Sequence, residues 1–203
     1  LRLNQLLLSE EKPEVMAIDS TGFDSWQRSR HYEKRILADN MPYAKTDIFI
    51  DTKKMLVHDF VLRTKPRHDV LGAKSMMKRN KHHGVKILGD GAYDAEELHE
   101  LANKKGNKFF APVRKSSLKT PKGFFRKKCV KEDKDYPKRS RVESVIHSLK
   151  TLRQTLKNKK PHMKKKEFAW TILTYNIKKI IKNIIELITN IIPDKSHKLT
   201  AYK

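Results

Sequence analysis

Short apolar runs alternate with stretches of helical period along most of this chain. Val15 to Asp19 (VMAID) is apolar up to a carboxylate and then meets the turn signals Ser20, Thr21 and Gly22, which predicts a buried strand closed by Asp19. Thr46 to Asp51 and Met55 to Leu62 are rich in β-branched and aromatic residues and are parted by Thr52, Lys53 and Lys54, as in a hairpin. Pro66, His68 and Asp69 open a helix reaching about Asn80, with Asp69 placed to cap it. Val85 to Leu88 reads as a strand running into Asp90, Ala95 to Lys105 as a helix with Leu98 and Leu101 on one face, and Lys108 to Val113 as another strand. Trp26 to Arg35 has no clean period and fits a loop or a short helix.

The basic stretch from Arg114 to Asp135 carries Pro121 and Gly123 and reads as an exposed excursion. From Tyr136 the period is helical, with Pro137 at a first helical position and an apolar stripe of Val142, Val145, Ile146 and Leu149. After a basic linker over Lys157 to Lys166, a long helix from Lys165 to about Ile192 stops at Pro193. Its Trp170 and Tyr175 share that helix with Ile172, Leu173 and Ile177 and are expected in the core. Strands alternating with helices predict an α/β domain, a mixed sheet flanked by helices, with a long C-terminal helix. The expected organisation is a linker or remnant of an N-terminal region over 1–14, one catalytic domain over 15–192 and a tail over 193–203.

Charge changes the picture. Lys and Arg number 46 against 23 for Asp and Glu, a net charge of +23, and the bases are spread through the chain. Such a surface suits a polyanion, and double-stranded DNA is the expected partner because each neutralised phosphate releases condensed counterions. The single cysteine, Cys129, excludes an intramolecular disulfide and a Cys-rich zinc site. The opening residues have no signal-peptide pattern, and Lys178, Lys179, Lys182 and Glu186 interrupt the most apolar stretch, so a cytoplasmic, nucleoid-associated location is expected. No Met begins the chain, as though it started inside a longer reading frame.

Three carboxylates stand at abrupt ends of apolar elements: Asp19, Asp90 and Glu143. Hard oxygen donors of this kind suit Mg²⁺ or Mn²⁺, and two such ions can serve both the attacking and the leaving oxygen of a phosphoryl transfer. Asp94 competes with Asp90 for the second place, but it is positioned to cap the next helix. Asp51 fits the hairpin turn, and His147 fits a solvent-facing or DNA-contacting position. Tyr136, Arg139, Glu143 and Lys150 follow at intervals of three, four and seven, within an arc of roughly 60° on an α-helix. Arg139 and Lys150 would then flank Glu143 as phosphate contacts. Arg28, Arg30, His31, Tyr32 and Arg35 read as a DNA-contacting segment with aromatic stacking.

This set resembles the Y-(2)-R-(3)-E-(6)-K signature of DDE transposases of the IS4 and IS5 insertion-sequence type, with every spacing kept. AIDSTGF around Asp19, SRHY with Arg35, P-x-H-D from Pro66 to Asp69, and GDGAYD from Gly89 to Asp94 are similar to blocks of the same family. The resemblance implies an RNase H-like fold. It further implies metal-dependent DNA cleavage and strand transfer, an acidic triad of Asp19, Asp90 and Glu143 holding two Mg²⁺ or Mn²⁺ ions, and a homodimer in the synaptic complex. A simple RNase H-like nuclease shares the carboxylates, and a truncated remnant that only binds DNA shares the charge. The sequence leaves both open.

Overall fold

The structure is a computed structural model and describes residues 2–8, 12–25, 43–65, 67–114, 121–129 and 133–191. Helix α1 spans Arg2–Leu7, and strands β1 Val15–Asp24, β2 Tyr43–Asp51 and β3 Val57–Arg63 follow. Helix α2 is Asp69–Arg79, β4 is Lys86–Leu88, α3 is Glu96–Lys104 and β5 is Lys108–Phe110. Helices α4 Phe124–Lys128, α5 Arg141–Leu152 and α6 Pro161–Ile191 complete the order, with 3₁₀ turns at Gly91–Tyr93 and Tyr136–Ser140.

The five strands form one sheet in the order β3-β2-β1-β4-β5. β1, β2 and β3 pair antiparallel, whereas β4 and β5 join parallel to β1. A meander followed by parallel strands reached through helices is the RNase H-like arrangement. Side chains of a strand alternate between its two faces, and β1 shows it: Ala17 and Phe23 enter the core under α5 and α6, while Met16 and Ile18 enter the core under α2 and α3. Phe168 of α6 anchors the first core, with ring centres 4.9 Å from Phe23 and 5.1 Å from Phe60 in edge-to-face contact.

Several expectations need correction. β1 does not end at Asp19 but runs to Asp24, because β2 continues to pair with it as far as Asp24 opposite Tyr43. Asp69 does not cap α2. His68 takes the cap position, and Asp69, the first helical residue, turns its carboxylate to Lys45 and Arg63 instead. The last strand is shorter than Lys108 to Val113, and the excursion after it contains α4. Helix α6 starts at Pro161, where a missing N–H is harmless at the first turn, so the basic linker is partly helical. Trp170 is 62% exposed. The buried face of α6 is set by Lys164, Phe168, Thr171, Ile172, Tyr175 and Asn176, and Trp170 lies about 200° round the helix from Phe168.

Within 1–14, the region expected as a linker, α1 packs on the domain. The buried Asn176 amide binds the Val57 backbone at 2.9 and 2.8 Å and donates to Asn4 Oδ1 at 2.6 Å, joining α1, β3 and α6. Among the described residues no helix is long and apolar enough to cross a membrane.

His58 on β3 sits with Nδ1 at 3.3 Å from His82 Nε2. Burial, and then the neighbouring charges of His82 and Lys54, push His58 down to about 4. A folded-state value below the unfolded value of about 6.5 means that the unfolded chain takes up the proton first as the medium is acidified. Stability from this group is therefore present above about pH 6.5 and is lost as pH falls toward 4. Urea unfolding of His58→Gln should show a flatter pH dependence across that window than the parent, and an unchanged slope would assign the acid sensitivity elsewhere.

Candidate active site

Asp19 and Asp90 come together through strand register. Ala17 pairs with Leu88 in the parallel β1–β4 ladder, and the two aspartates each lie two residues further along. Since Ala17 enters the α5 core, a step of two along β1 returns Asp19 to that face, and Asp90, past the end of β4 as the cap of the 3₁₀ turn, is near enough for its charge to raise Asp19. Crevices at the carboxyl ends of parallel strands are where ligands bind in open α/β sheets. Each aspartate has one oxygen tied to the backbone. Ser20 N donates to Asp19 Oδ1 at 2.8 Å, and Ala92 N donates to Asp90 Oδ1 at 2.8 Å, which caps the 3₁₀ turn.

Glu143 arrives from α5, whose Val142, Val145 and Leu149 are buried against the sheet. Arg139 connects the elements: its guanidinium stands 3.2 Å from Asp19 Oδ2 and 2.7 Å from Glu143 Oε1. Lys150 lies at the far end of α5 with Nζ 5.9 Å from the centre of the Phe23 ring. With Arg139 beside Asp19 and Lys150 beside Phe23, the helix runs alongside β1 in the same direction. Tyr136 and Arg139 do not share a continuous α-helical face with Glu143 and Lys150, because Tyr136–Ser140 is a tighter 3₁₀ turn with Pro137 at its start. Tyr136 packs edge-on against Phe110 at 5.4 Å.

Burial raises the Asp19 carboxyl above the usual aspartate range, against the Ser20 amide and Arg139, and the charges of Asp90 and Glu143 push it further the same way. Mutual repulsion of three carboxylates is what a divalent cation relieves, so the donor chemistry fits one. The geometry is not a closed cage: among the described residues no three His, Cys, Asp or Glu side chains are close enough to enclose an ion. Glu143 is turned outward, 59% exposed, onto the Arg139 guanidinium.

The rival carboxylates are held elsewhere. Asp94 is not a helix cap. Its side chain is 1% exposed and receives Arg126 Nε and Nη2, each at 2.6 Å, and the Arg114 amide at 3.0 Å. Asp51 receives the Lys53 and Lys54 amides in the hairpin turn, and His147 is exposed. Arg28, Arg30, His31, Tyr32 and Arg35 lie outside the described residues. Sequence reasoning passed over two features. One is α4, docked through Arg126 on Asp94 and through its Phe125 and Arg126 amides on Glu96 at 2.9 and 3.0 Å. The other is a buried ionic cluster on the opposite face of β1, built on Asp47, Arg63 and Asp69.

A basic chain with aspartates at the carboxyl end of adjoining strands of an RNase H-like sheet belongs to the class of polynucleotide phosphoryl-transfer domains. The family described as "Transposase DDE domain" matches residues 10–177, and the chain belongs to that family. Members generally work with divalent metal ions on DNA. No curated protein matches the chain in sequence.

Solved structures similar to it include the catalytic core domain of BIV integrase, at 13% identity and a TM-score of 0.38, covering 68% of this chain and 67% of that one. A simian T-cell lymphotropic virus intasome in complex with PP2A regulatory subunit B56 gamma gives 16% and 0.41, covering 70% and 40%. A piggyBac transposase synaptic complex with hairpin DNA gives 13% and 0.39, covering 54% and 25%. This chain thus spans about two thirds of the first and less than half of the other two.

Asp94→Asn should weaken the Arg126 pair and loosen α4, at a cost of about 1–3 kcal/mol. Limited trypsin digestion should then cut after Arg126, Lys127 or Lys128 faster than in the parent. Equal digestion rates would show that Glu96 alone holds the helix.

Proposed function

We propose that this chain is the catalytic domain of an insertion-sequence transposase of the IS4 and IS5 type, which cuts DNA at the element's ends and transfers the freed strand into target DNA. The observation that carries the reading is that Asp19 and Asp90 each follow the last β1–β4 ladder pair by two residues and interact electrostatically, with Glu143 tied to Asp19 through Arg139. Asp19, Asp90 and Glu143 would hold the divalent ions, Mg²⁺ or Mn²⁺ and two in number, which supply Lewis acidity to the attacking and leaving oxygens.

The chain's own residues do the rest. Asp19 and Asp90 each keep one oxygen fixed by a backbone amide, which limits how the carboxylate can turn, and the second oxygen of Asp19 meets Arg139. Arg139 has the planar fork that suits phosphate oxygens, and it trades one anion for another when a DNA phosphate takes the place of Glu143. Lys150, further along α5, meets the strand on the side of β1 toward Phe23. Tyr136 supports this edge by packing on β5. Arg28, Arg30, His31 and Arg35 would add contacts to the DNA backbone. Two ends must meet in one complex, which favours a homodimer in the synaptic state.

Cleavage of the DNA flanking the coding region, with Mg²⁺ or Mn²⁺ and a chelator control, tests the reading. The parent should nick at a defined end. Asp19→Asn and Asp90→Asn should each cut roughly a thousandfold more slowly or worse, as loss of several kcal/mol of transition-state stabilisation requires. Their DNA binding should survive and weaken with salt. A parent that binds but never cuts, or an Asp90→Asn variant that cuts normally, would overturn it.

A further inference from the structure

Behind the catalytic face, on the α2 side of the sheet, lies a buried chain of hydrogen bonds that no step above uses. Tyr93 donates its hydroxyl to Asp47 Oδ1 at 3.3 Å. Arg63 Nη2 binds both Asp47 oxygens, at 2.9 and 2.6 Å, and reaches Asp69 Oδ1 at 3.2 Å. Ser20 donates to Asp69 Oδ2 at 3.1 Å. Lys45 adds a second cation to Asp69 at 2.5 Å, and Arg63 Nη1 is fixed by the carbonyls of Arg67 and His68 at 2.7 and 3.0 Å. Asp47 and Tyr93 are fully buried. Gly72 of α2 packs so closely over the Asp47 carboxylate that a Cβ there would overlap it.

The two ends of this chain are what give it meaning. Ser20 is the residue after Asp19, and its amide holds Asp19 Oδ1. Tyr93 closes the 3₁₀ turn that begins at Asp90, its amide donating to the Asp90 carbonyl at 3.0 Å. The link Ser20–Asp69–Arg63–Asp47–Tyr93 therefore spans from one aspartate's neighbour to the other aspartate's turn, across β1, β2, β3 and the start of α2. Beyond Leu88 no ladder pairing joins β1 to the segment carrying Asp90. Something else must fix their separation there.

We propose that the buried Asp47–Arg63–Asp69 cluster, with Ser20 and Tyr93 as its two ends, is a positioning clamp that sets the distance between Asp19 and Asp90. Its members lie on the far side of the sheet from the crevice, so they are positioning residues and touch neither DNA nor ions. The inference rests on the reading of Asp19 and Asp90 as the metal-holding pair. Two oppositely charged pairs, Asp47 and Asp69 against Arg63 and Lys45, make the cluster neutral in itself. Arg63 Nε has no hydrogen-bond partner among the described residues, but Nη1 and Nη2 make five bonds between them, and such a charge-balanced network resists deformation better than a single hydrogen bond does. Groups that hold the ligands of a metal from behind typically change its affinity or the activity by roughly 10–100-fold when lost.

Tyr93→Phe and Ser20→Ala each remove one end of the clamp while keeping the shape of the core, and Ser20→Thr restores the hydroxyl. The 203-residue chain is used throughout, with three readouts: Mn²⁺ binding by electron paramagnetic resonance, kcat and KM for DNA cleavage, and thermal unfolding. The clamp predicts that Tyr93→Phe and Ser20→Ala unfold cooperatively and keep KM for DNA. Both should lose roughly tenfold or more in kcat and in Mn²⁺ affinity, with Ser20→Thr close to the parent. If they are merely less stable, with parent Mn²⁺ affinity and kcat in the folded protein, the clamp is overturned. Asp19→Asn and Asp90→Asn run alongside. Should those two still bind Mn²⁺ and cut, the reading of the site fails and the clamp with it, whereas dead aspartate variants beside unaffected clamp variants remove the clamp alone.

Discussion

The register of β1 against its two neighbours is the constraint on which the rest depends. β1 lies between an antiparallel and a parallel partner, and its buried apolar side chains are divided between two cores, Ala17 and Phe23 on one face and Met16 and Ile18 on the other. A slip of one residue would send Ala17 and Phe23 to the α2 face and carry Asp19 away from α5. The parallel half of the pairing covers only Val15 to Ala17, and Asp19 and Asp90 each follow its last pair, Ala17–Leu88, by two residues. The alternation that buries the core thus also sets the face on which Asp19 stands.

Charge is handled differently on the two faces of this strand. On the α2 face, Asp47 and Asp69 meet Arg63 and Lys45, a matched set in which Gly72 packs over the Asp47 carboxylate. Even there, burial holds Asp47 up at about 6 despite Arg63 beside it, while in Asp69 the contacts from Lys45 and Arg63 outweigh burial and lower it. On the α5 face, Asp19 and Glu143 share one guanidinium, Arg139, and Asp19, whose carboxyl Asp90 also pushes up, stays raised. One face is balanced from within and the other is short of positive charge. The shortfall is local, because the chain as a whole carries +23. On the proposed reading, divalent ions would supply the positive charge that this face lacks.

Much of this was legible in the sequence, and the exceptions have physical reasons. The strand and helix order followed from apolar runs and periods, and Asp90 was found because it follows a short strand and precedes a turn. Asp19 was placed at the end of β1 because Ser20, Thr21 and Gly22 look like a turn, but an antiparallel partner extends a strand through weak formers when its own residues pair well. Trp170 was assigned inward from its neighbours. A long helix exposes half its surface, and only the set beginning at Lys164 and Phe168 faces the sheet. The Asp47 cluster left one trace: in Asp47–Ile48–Phe49, the aspartate shares a face with the buried Phe49, which flags an inward charge. Its partners Arg63, Asp69 and Tyr93 are spread over 46 positions of sequence, from 47 to 93, and no local period connects them.

A phosphodiester that enters the crevice meets carboxylates of its own sign, so the general basic surface cannot by itself bring it into line. Long-range attraction from the Lys and Arg residues raises the local concentration of DNA, but it is screened within about 10 Å at ordinary ionic strength. Within that distance the outcome is set by the few groups at hand: Arg139, the amide-bound oxygens of Asp19 and Asp90, and whatever cations the free oxygens hold. On the proposed reading, binding and catalysis would be separable: the first would be spread over many replaceable bases, whereas the second would depend on the separation of Asp19 and Asp90, each two residues past a three-residue parallel ladder.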